Sequence, residues 1–418
     1  MTTTQPDLTQ TVLDACHTLA GFTTTPGSIT RLFLTPPMHD VHAFLEDWAR
    51  RLGMTSRVDA AGNLRCRWEG TEPNAPTLYL GSHLDTVPNA GAYDGILGVV
   101  LGFALVETLS GTRLPFALEV QGFSEEEGVR YGASFFGSLA LLGTAGPMLD
   151  LRDAGSQTLR DALTEFGLDA EALPSAEIIG ETLGFFEIHI EQGPVLEAAG
   201  QSVGIVEAIA GQSRLDLTFT GRASHAGTTP MPLRRDALAA AARFVVAAEE
   251  LARSTPGLVA TVGMMDVKPG AGNVIPGEVR CSLDIRHAHD EVRLAALPEL
   301  LDSAKQFASE RGVTVTVMPK MEVQATPMHL QFRALLHQAA SDVGLPHPEL
   351  VSGAGHDAMV MAARMPSAML FVRSPGGLSH HPDEAVLAED VTDALALGER
   401  FLHLLAAQSG STGGKHGL

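Results

Sequence analysis

The chain has 418 residues, a formal net charge of −21 and a composition that is 45% hydrophobic, 18% charged and 5% aromatic. This is the make-up of a globular protein too long for one ordinary core, so two domains are expected. The acidic balance argues against nucleic acid or an anionic membrane surface as partner, and three cysteines without a CxxC pair exclude a disulfide framework and a thiolate zinc site, as suits a reducing cytoplasm. In chain order, MTTTQPDLTQ has neither a basic nor an apolar leader region, so no signal peptide is expected. Thr77 to Gly81 reads as a short apolar strand, Gly95 to Leu109 as a buried helix and Phe116 to Phe123 as another strand. The apolar run Ile96 to Val106 is interrupted by Gly and too short for a bilayer. Alternating strands and helices predict a mainly parallel sheet covered on both faces.

The middle of the chain changes character. Arg214 to Thr220 alternates, with Leu215, Leu217 and Phe219 on one face. A helix is predicted over Arg234 to Arg253, a strand over Leu258 to Val267, and an alternating strand through Val279, Cys281, Leu283 and Ile285. A helix over Asp290 to Glu310 and a strand over Val313 to Met318 complete the order β-α-β-β-α-β, an α+β split-βαβ (ferredoxin-like) insert. The expected division is 1–211 with 328–407 for a discontinuous α/β catalytic domain and 212–327 for the inserted domain. The Gly- and Ser-rich 408–418 reads as a disordered tail.

Four segments carry chemistry. Gly81-Ser82-His83-Leu84-Asp85 closes an apolar strand, and a carboxylate two residues from an imidazole can fix the tautomer of a metal-binding histidine; a loop histidine bonded to a nearby aspartate is the alternative. Ser124-Glu125-Glu126-Glu127-Gly128 follows a strand, at the end where α/β sites gather. Such a run is otherwise a solvated turn. In Phe186 to Gly193 the apolar face leaves Glu187, His189 and Glu191 together, which is costly in a buried strand without partners such as a metal. Gly376 to Glu384 holds the doublet His380-His381, of which one could be a surface residue. Together they supply three histidines, an aspartate and a glutamate, the ligand complement of two divalent ions bridged by a carboxylate.

GSHLDT…AYDG, SEEEGVRYGASFFGS, FEIHIEQGPVLE, GRASHAGTTPM, NVIPGEV…LDIRH, SGAGHDAM and GLSHHPDE in this order closely resemble the ureido-cleaving branch of the M20 metal-dependent amidohydrolases. That branch holds allantoate amidohydrolases, N-carbamoyl-L-amino acid hydrolases and β-ureidopropionases, and the likeness runs from about residue 10 to 405. The resemblance implies that His83, Asp94 and His189 hold one metal and that Asp94, Glu127 and His380 hold the second. It makes Glu126 the general base and implies a cis peptide at Asp94–Gly95. It further implies that His225 reaches a neighbouring subunit's site to bond the substrate carbonyl, and that Gln192, Asn273, Arg286 and Gly377 contact substrate. Without it, a surface salt bridge of Arg286 with Asp284 or Asp290 would be the preferred reading. His356 and Asp357 receive no role.

The expected function is hydrolysis of a ureido C–N bond in a small carboxylate-bearing metabolite. Allantoate is the first choice, with an N-carbamoyl-L-amino acid or 3-ureidopropionate as the alternative; an aminoacylase, a dipeptidase or a non-catalytic binding protein comes after these. The implied cofactors are two divalent ions per subunit, zinc or manganese, with cobalt or nickel also suited to N and O donors. The insert is expected to act as lid and homodimer interface, in a cytoplasmic protein.

Overall fold

The computed structural model describes residues 7–411 and divides into two compact units. Among the described residues the first comprises 7–207, Met328–Leu350 and 355–411; the second comprises Ala208–Pro327 with the short return Val351–Ala354. In the first unit the strands lie in the order Thr55–Val58, Leu64–Trp68, Ala117–Phe123, Thr77–His83, Thr182–Ile190, Ser367–Val372 and Val203–Ile209. The four central strands are mutually parallel, with His83 paired to Phe123 and Phe371 to His189. Their carboxyl ends therefore open on one edge of the sheet, and the mixed α/β class follows from antiparallel strands outside them.

The helix Ile96–Thr108 is apolar all round, and every residue from Ile96 to Val106 is buried. That pattern belongs to a helix surrounded by protein, and each fully buried Leu, Ile, Val or Phe contributes about 1.5–3 kcal/mol. Its start fixes the site, because Asp94 directly precedes its N-cap, Gly95.

The second unit has a four-strand path, Met265–Lys268, Glu278–His287, Gly211–Thr220 and Thr314–Val323, all antiparallel. The helices Ala237–Ser254 and Asp290–Ser309 share a core with Leu215, Leu217, Phe219, Val279, Cys281 and Leu283. The strand expected over 258–267 is broken into Val259–Thr261 and Met265–Lys268. At the break Met264 exchanges bonds with both the backbone and the hydroxyl of Ser282, so the two pieces pair with different stretches of one neighbour.

Two further expectations need correction. The only cis peptide among the described residues is Lys268–Pro269, so Asp94–Gly95 is trans. The tail does not begin at 408: the helix Ala388–Ser411 carries the chain to 411, anchored by buried Leu402 and Leu405. Residues 412–418 lie outside the described residues. No helix among the described residues is long and apolar enough to cross a membrane.

Candidate functional site

His83 ends its strand and His189 lies one residue before the end of the parallel strand beside it. The Nδ1 of His83 is 2.9 Å from the Asp85 carbonyl, and that of His189 is 2.9 Å from the Ile190 carbonyl. A carbonyl only accepts, so in the neutral rings both Nδ1 atoms carry the proton and both Nε2 lone pairs are free. Those lone pairs face Asp94 Oδ1 at 3.6 and 3.2 Å. The His189 Nε2 is buried with no hydrogen-bond partner. Lone pairs aimed at a carboxylate oxygen repel unless a cation lies between them. Gly95 permits the approach, since a Cβ there would lie 2.4 Å from the His83 ring.

Asp94 Oδ2 serves a second group. His380 Nε2 is 3.2 Å from it and 3.4 Å from Glu127 Oε1. The hydroxyl of Ser379 donates to the same oxygen at 2.8 Å and the Gln192 amide at 2.9 Å. Two ligand sets thus share one carboxylate, His83–Asp94–His189 and Asp94–Glu127–His380, each with its donor atoms within 4.8 Å of one another. This is a dinuclear metal-binding site, and its imidazole and carboxylate donors fit ions such as zinc or manganese. Of the histidine doublet, His380 enters the cluster, while His381 is exposed with Nδ1 3.7 Å from Asp383.

The acidic run divides its labour. Glu125 has a left-handed backbone (φ 49°) and accepts the N–H groups of Arg130 and Tyr131 through Oε1; burial, then the charge of Asp85, pushes its carboxyl up to about 8. Glu126 is buried, with Oε2 4.0 Å from His83 Nε2. The tautomer of His83 is set by the backbone carbonyl of Asp85, not by its carboxylate, which lies 3.8 Å from Nδ1. That carboxylate instead accepts the N–H groups of Glu126 at 3.1 Å and Glu127 at 3.2 Å, which holds the loop beneath the histidine.

In the absence of a cation, protons meet the same electrostatic demand. Burial opposes charge on Asp94, yet the imidazoles of His189, His380 and His83, when protonated at Nε2, donate to it and hold its carboxyl well below the usual range. Burial likewise opposes charge on His83, but Asp94, Glu126 and Asp85 hold it well above its ordinary value. Burial raises Glu126 strongly; His83 works against that, while Asp357, Glu127 and Asp85 add to it. One carboxylate is kept ionised and another is poised to hold a proton.

Sequence reasoning named Glu187 and His356 without giving either a specific role. Glu187 is wholly buried and accepts bonds from Ser82 Oγ at 2.7 Å and Ala358 N at 2.9 Å, tying together the segments that carry His83, His189 and His356. The His356 ring lies 4.5 Å from that of His189. The signal for Glu187 was an acid on the polar face of an apolar strand. Gln192, expected to contact substrate, donates its amide N–H groups to Asp94 and Ser379. Gly377 lies in the turn Pro375–Gly377, against Gly193 and Pro194.

His225, Asn273 and Arg286 belong to the second unit. His225 is exposed and its Nδ1 accepts from the N–H groups of Gly227 and Thr228, so Nε2 carries the proton and is a donor. Its strand pairs with Val274, and the Asn273 carbonyl accepts from Ala226 N, which puts the two residues on one ribbon. Arg286 donates to both oxygens of Asp284 at 2.8 Å and to the Gly353 carbonyl. That is the ion pair expected in the absence of the family resemblance.

Residues 79–404 match the family model of peptidase family M20/M25/M40. An N-carbamoyl-L-amino acid amidohydrolase of Geobacillus stearothermophilus is 41% identical over 368 residues, covering 87% of this chain and 90% of the relative. Allantoate deiminase 1 of Glycine max is 36% identical over 415 residues, covering 91% of this chain and 86% of the relative. Among solved structures, a hydantoinase/carbamoylase family amidase from Burkholderia ambifaria superposes with a TM-score of 0.88 at 34% identity, covering 95% of this chain and 97% of that one.

Proposed function

We propose that this chain, which belongs to peptidase family M20/M25/M40 and to its ureido-cleaving branch, takes an N-carbamoyl-L-amino acid as substrate. Its activity is metal-dependent hydrolysis of a ureido or amide C–N bond in a small metabolite. The observation that carries the substrate reading is the 41% identity to the Geobacillus stearothermophilus amidohydrolase across nearly the whole of both chains. The residue patterns alone rank allantoate first, and this identity supports the opposite order. Allantoate is the second reading, favoured by the Glycine max deiminase and by the segments GIVEAIAGQSRL, SGAGHDAM and FVRSPGGLSH, which resemble allantoate amidohydrolases slightly more than carbamoyl-amino-acid hydrolases.

A ureido carbon is a poor electrophile, and two divalent ions at the shared carboxylate supply Lewis acidity and a more acidic water. His83, Asp94 and His189 would hold one ion, and Asp94, Glu127 and His380 the other. Glu126 takes a proton from the attacking water and returns it to the leaving nitrogen; the water oxygen joins the ureido carbon as its C–N bond to the amino acid breaks. The amino acid departs with that proton, and the carbamic acid left behind falls to ammonia and carbon dioxide. His225, as an Nε2–H donor, stabilises the oxyanion. Arg286 holds the substrate carboxylate, with Gln192, Asn273 and Gly377 completing the pocket. We assign His225 to the partner's site in a homodimer formed through the second unit. Zinc or manganese are the preferred ions, with cobalt or nickel next.

The test is kcat/KM on metal-reconstituted protein for several N-carbamoyl-L-amino acids, allantoate, 3-ureidopropionate and an N-acetyl amino acid. An N-carbamoyl-L-amino acid should lead by tenfold or more, which is about 1.4 kcal/mol in the barrier. A lead for allantoate would transfer the assignment to the second reading.

A further inference from the structure

We infer that Glu384 is a positioning residue, a latch that sets the second metal position by joining the loop of Asp94 to the loop of His380. The inference rests on the two-ion reading above. Its Oε1 accepts the backbone N–H of Tyr93 at 2.9 Å and of Asp94 at 3.0 Å, across 290 residues of sequence. Its Oε2 is the second acceptor, at 3.3 Å, for the single proton of the Ser379 hydroxyl, whose other acceptor is Asp94 Oδ2 at 2.8 Å. One carboxylate therefore grips the backbone of the shared aspartate with one oxygen and, with the other, shares with Asp94 the hydroxyl proton of the residue before His380. Space for the grip is made at Gly91, where a Cβ would fall 2.3 Å from the Glu384 Cβ.

The two metal positions differ in how much they need such a device. The His83 and His189 side chains are 3% and 0% exposed, and each ring is fixed through Nδ1 by a backbone carbonyl. His380 is 49% exposed on a loop and itself has a left-handed backbone of φ 56°. Its placement depends on how the loop is tied down, and Glu384 with Ser379 ties it to the aspartate that His380 must share. Groups that orient ligands in this way are worth about 10- to 100-fold in metal affinity when removed.

The experiment is calorimetric titration of metal-free protein with Zn²⁺ and, separately, Mn²⁺, with bound metal counted after dialysis and the melting temperature recorded. Wild type should take up two ions. Glu384→Ala should bind the first as wild type does and the second about 10- to 100-fold more weakly. Glu384→Gln should restore the second position, because its carbonyl still accepts both N–H groups and its amide can meet the Ser379 oxygen. Gly91→Ala should reproduce the selective loss with Glu384 intact, by displacing it. Wild-type affinity for both ions in Glu384→Ala would overturn the latch. Equal weakening of both ions, unrelieved in Glu384→Gln, would also overturn it and leave Glu384 a general support of the fold. Uptake of fewer than two ions by the wild-type chain would instead sink the two-ion reading beneath it.

Discussion

Replacing Glu126 by Gln separates the base from the ligands more cleanly than any other change. The side chain keeps its size, and the backbone bond from Glu126 N to Asp85 at 3.1 Å does not involve it. What is lost is a proton acceptor beside His83, at 4.0 Å from Nε2. Removal of a general base costs about 10²–10⁴ in rate, or about 2.7–5.4 kcal/mol at 1.36 kcal/mol per tenfold. The fold should not suffer. Glu126 is buried close to Asp357, Glu127 and Asp85, whose charges raise its proton affinity, so a neutral amide there relieves repulsion. The signature is a 10²–10⁴-fold fall in kcat with two ions retained and a melting temperature equal to or above wild type. Glu127→Gln should behave oppositely, since its Oε1 faces His380 at 3.4 Å, and should lose the second ion. Stopped turnover assays with metal analysis on both variants decide the matter. Metal loss in Glu126→Gln with both ions kept in Glu127→Gln would mean the two roles are exchanged, and near-normal turnover in Glu126→Gln would refute the base.

Arg286→Ala should raise KM for carboxylate substrates about 10- to 100-fold with metal content unchanged, as expected for a charge-assisted contact worth about 1.5–3 kcal/mol; an unchanged KM would leave Arg286 to its ion pair with Asp284. If His225 acts across a dimer, mixing His225→Ala with Glu126→Gln under subunit exchange should recover up to about half the wild-type rate, one good site of two. Verified heterodimers without activity would count against it. Burial, with His39 adding to it, holds the His42 imidazole down to about 4. Between that value and the ordinary 6.5 the unfolded chain binds a proton the native state refuses, so stability is lost as pH falls through 6.5 towards 4. His42→Leu should shrink the loss of unfolding free energy between pH 7 and pH 4.5 by about 2–3 kcal/mol, as read by urea titrations at both pH values; an unchanged loss would contradict it.

The four segments were legible as candidates because their polar residues sit near turns after strands, where a linear pattern and a period of two report them; which of those residues are the donors was implied by the family resemblance. His83 and His189 lie at the ends of parallel strands, Glu127 and His380 on the loops that follow such strands, and Asp94 immediately before the N-cap of a buried helix. The supports were not legible, because they depend on which backbone atoms face which side chain. Asp85 stands two residues from His83 and suggests a carboxylate–imidazole pair, yet its carboxylate turns to the Glu126 and Glu127 amides. Glu384 reaches Asp94 across nearly the whole chain, a pairing that periodicity cannot report. The strand expected over 258–267 failed for a related reason, since the apolar run hides the point where the Ser282 hydroxyl intrudes on the ladder. Gln408 to Ser411 were misread from composition, where buried Leu402 and Leu405 keep the helix going.

The central claim is that metal held by this cluster drives hydrolysis of a ureido bond. Its most direct measurement follows an N-carbamoyl-L-amino acid labelled at the carbamoyl carbon, with chelated protein and with the same protein restored by Zn²⁺ or Mn²⁺. The account predicts no turnover after chelation and full recovery on restoration. Amino acid, ammonia and labelled carbon dioxide should then appear in equal amounts. Equal rates with and without metal would contradict it, as would a restored protein that leaves every ureido compound intact while cleaving a dipeptide.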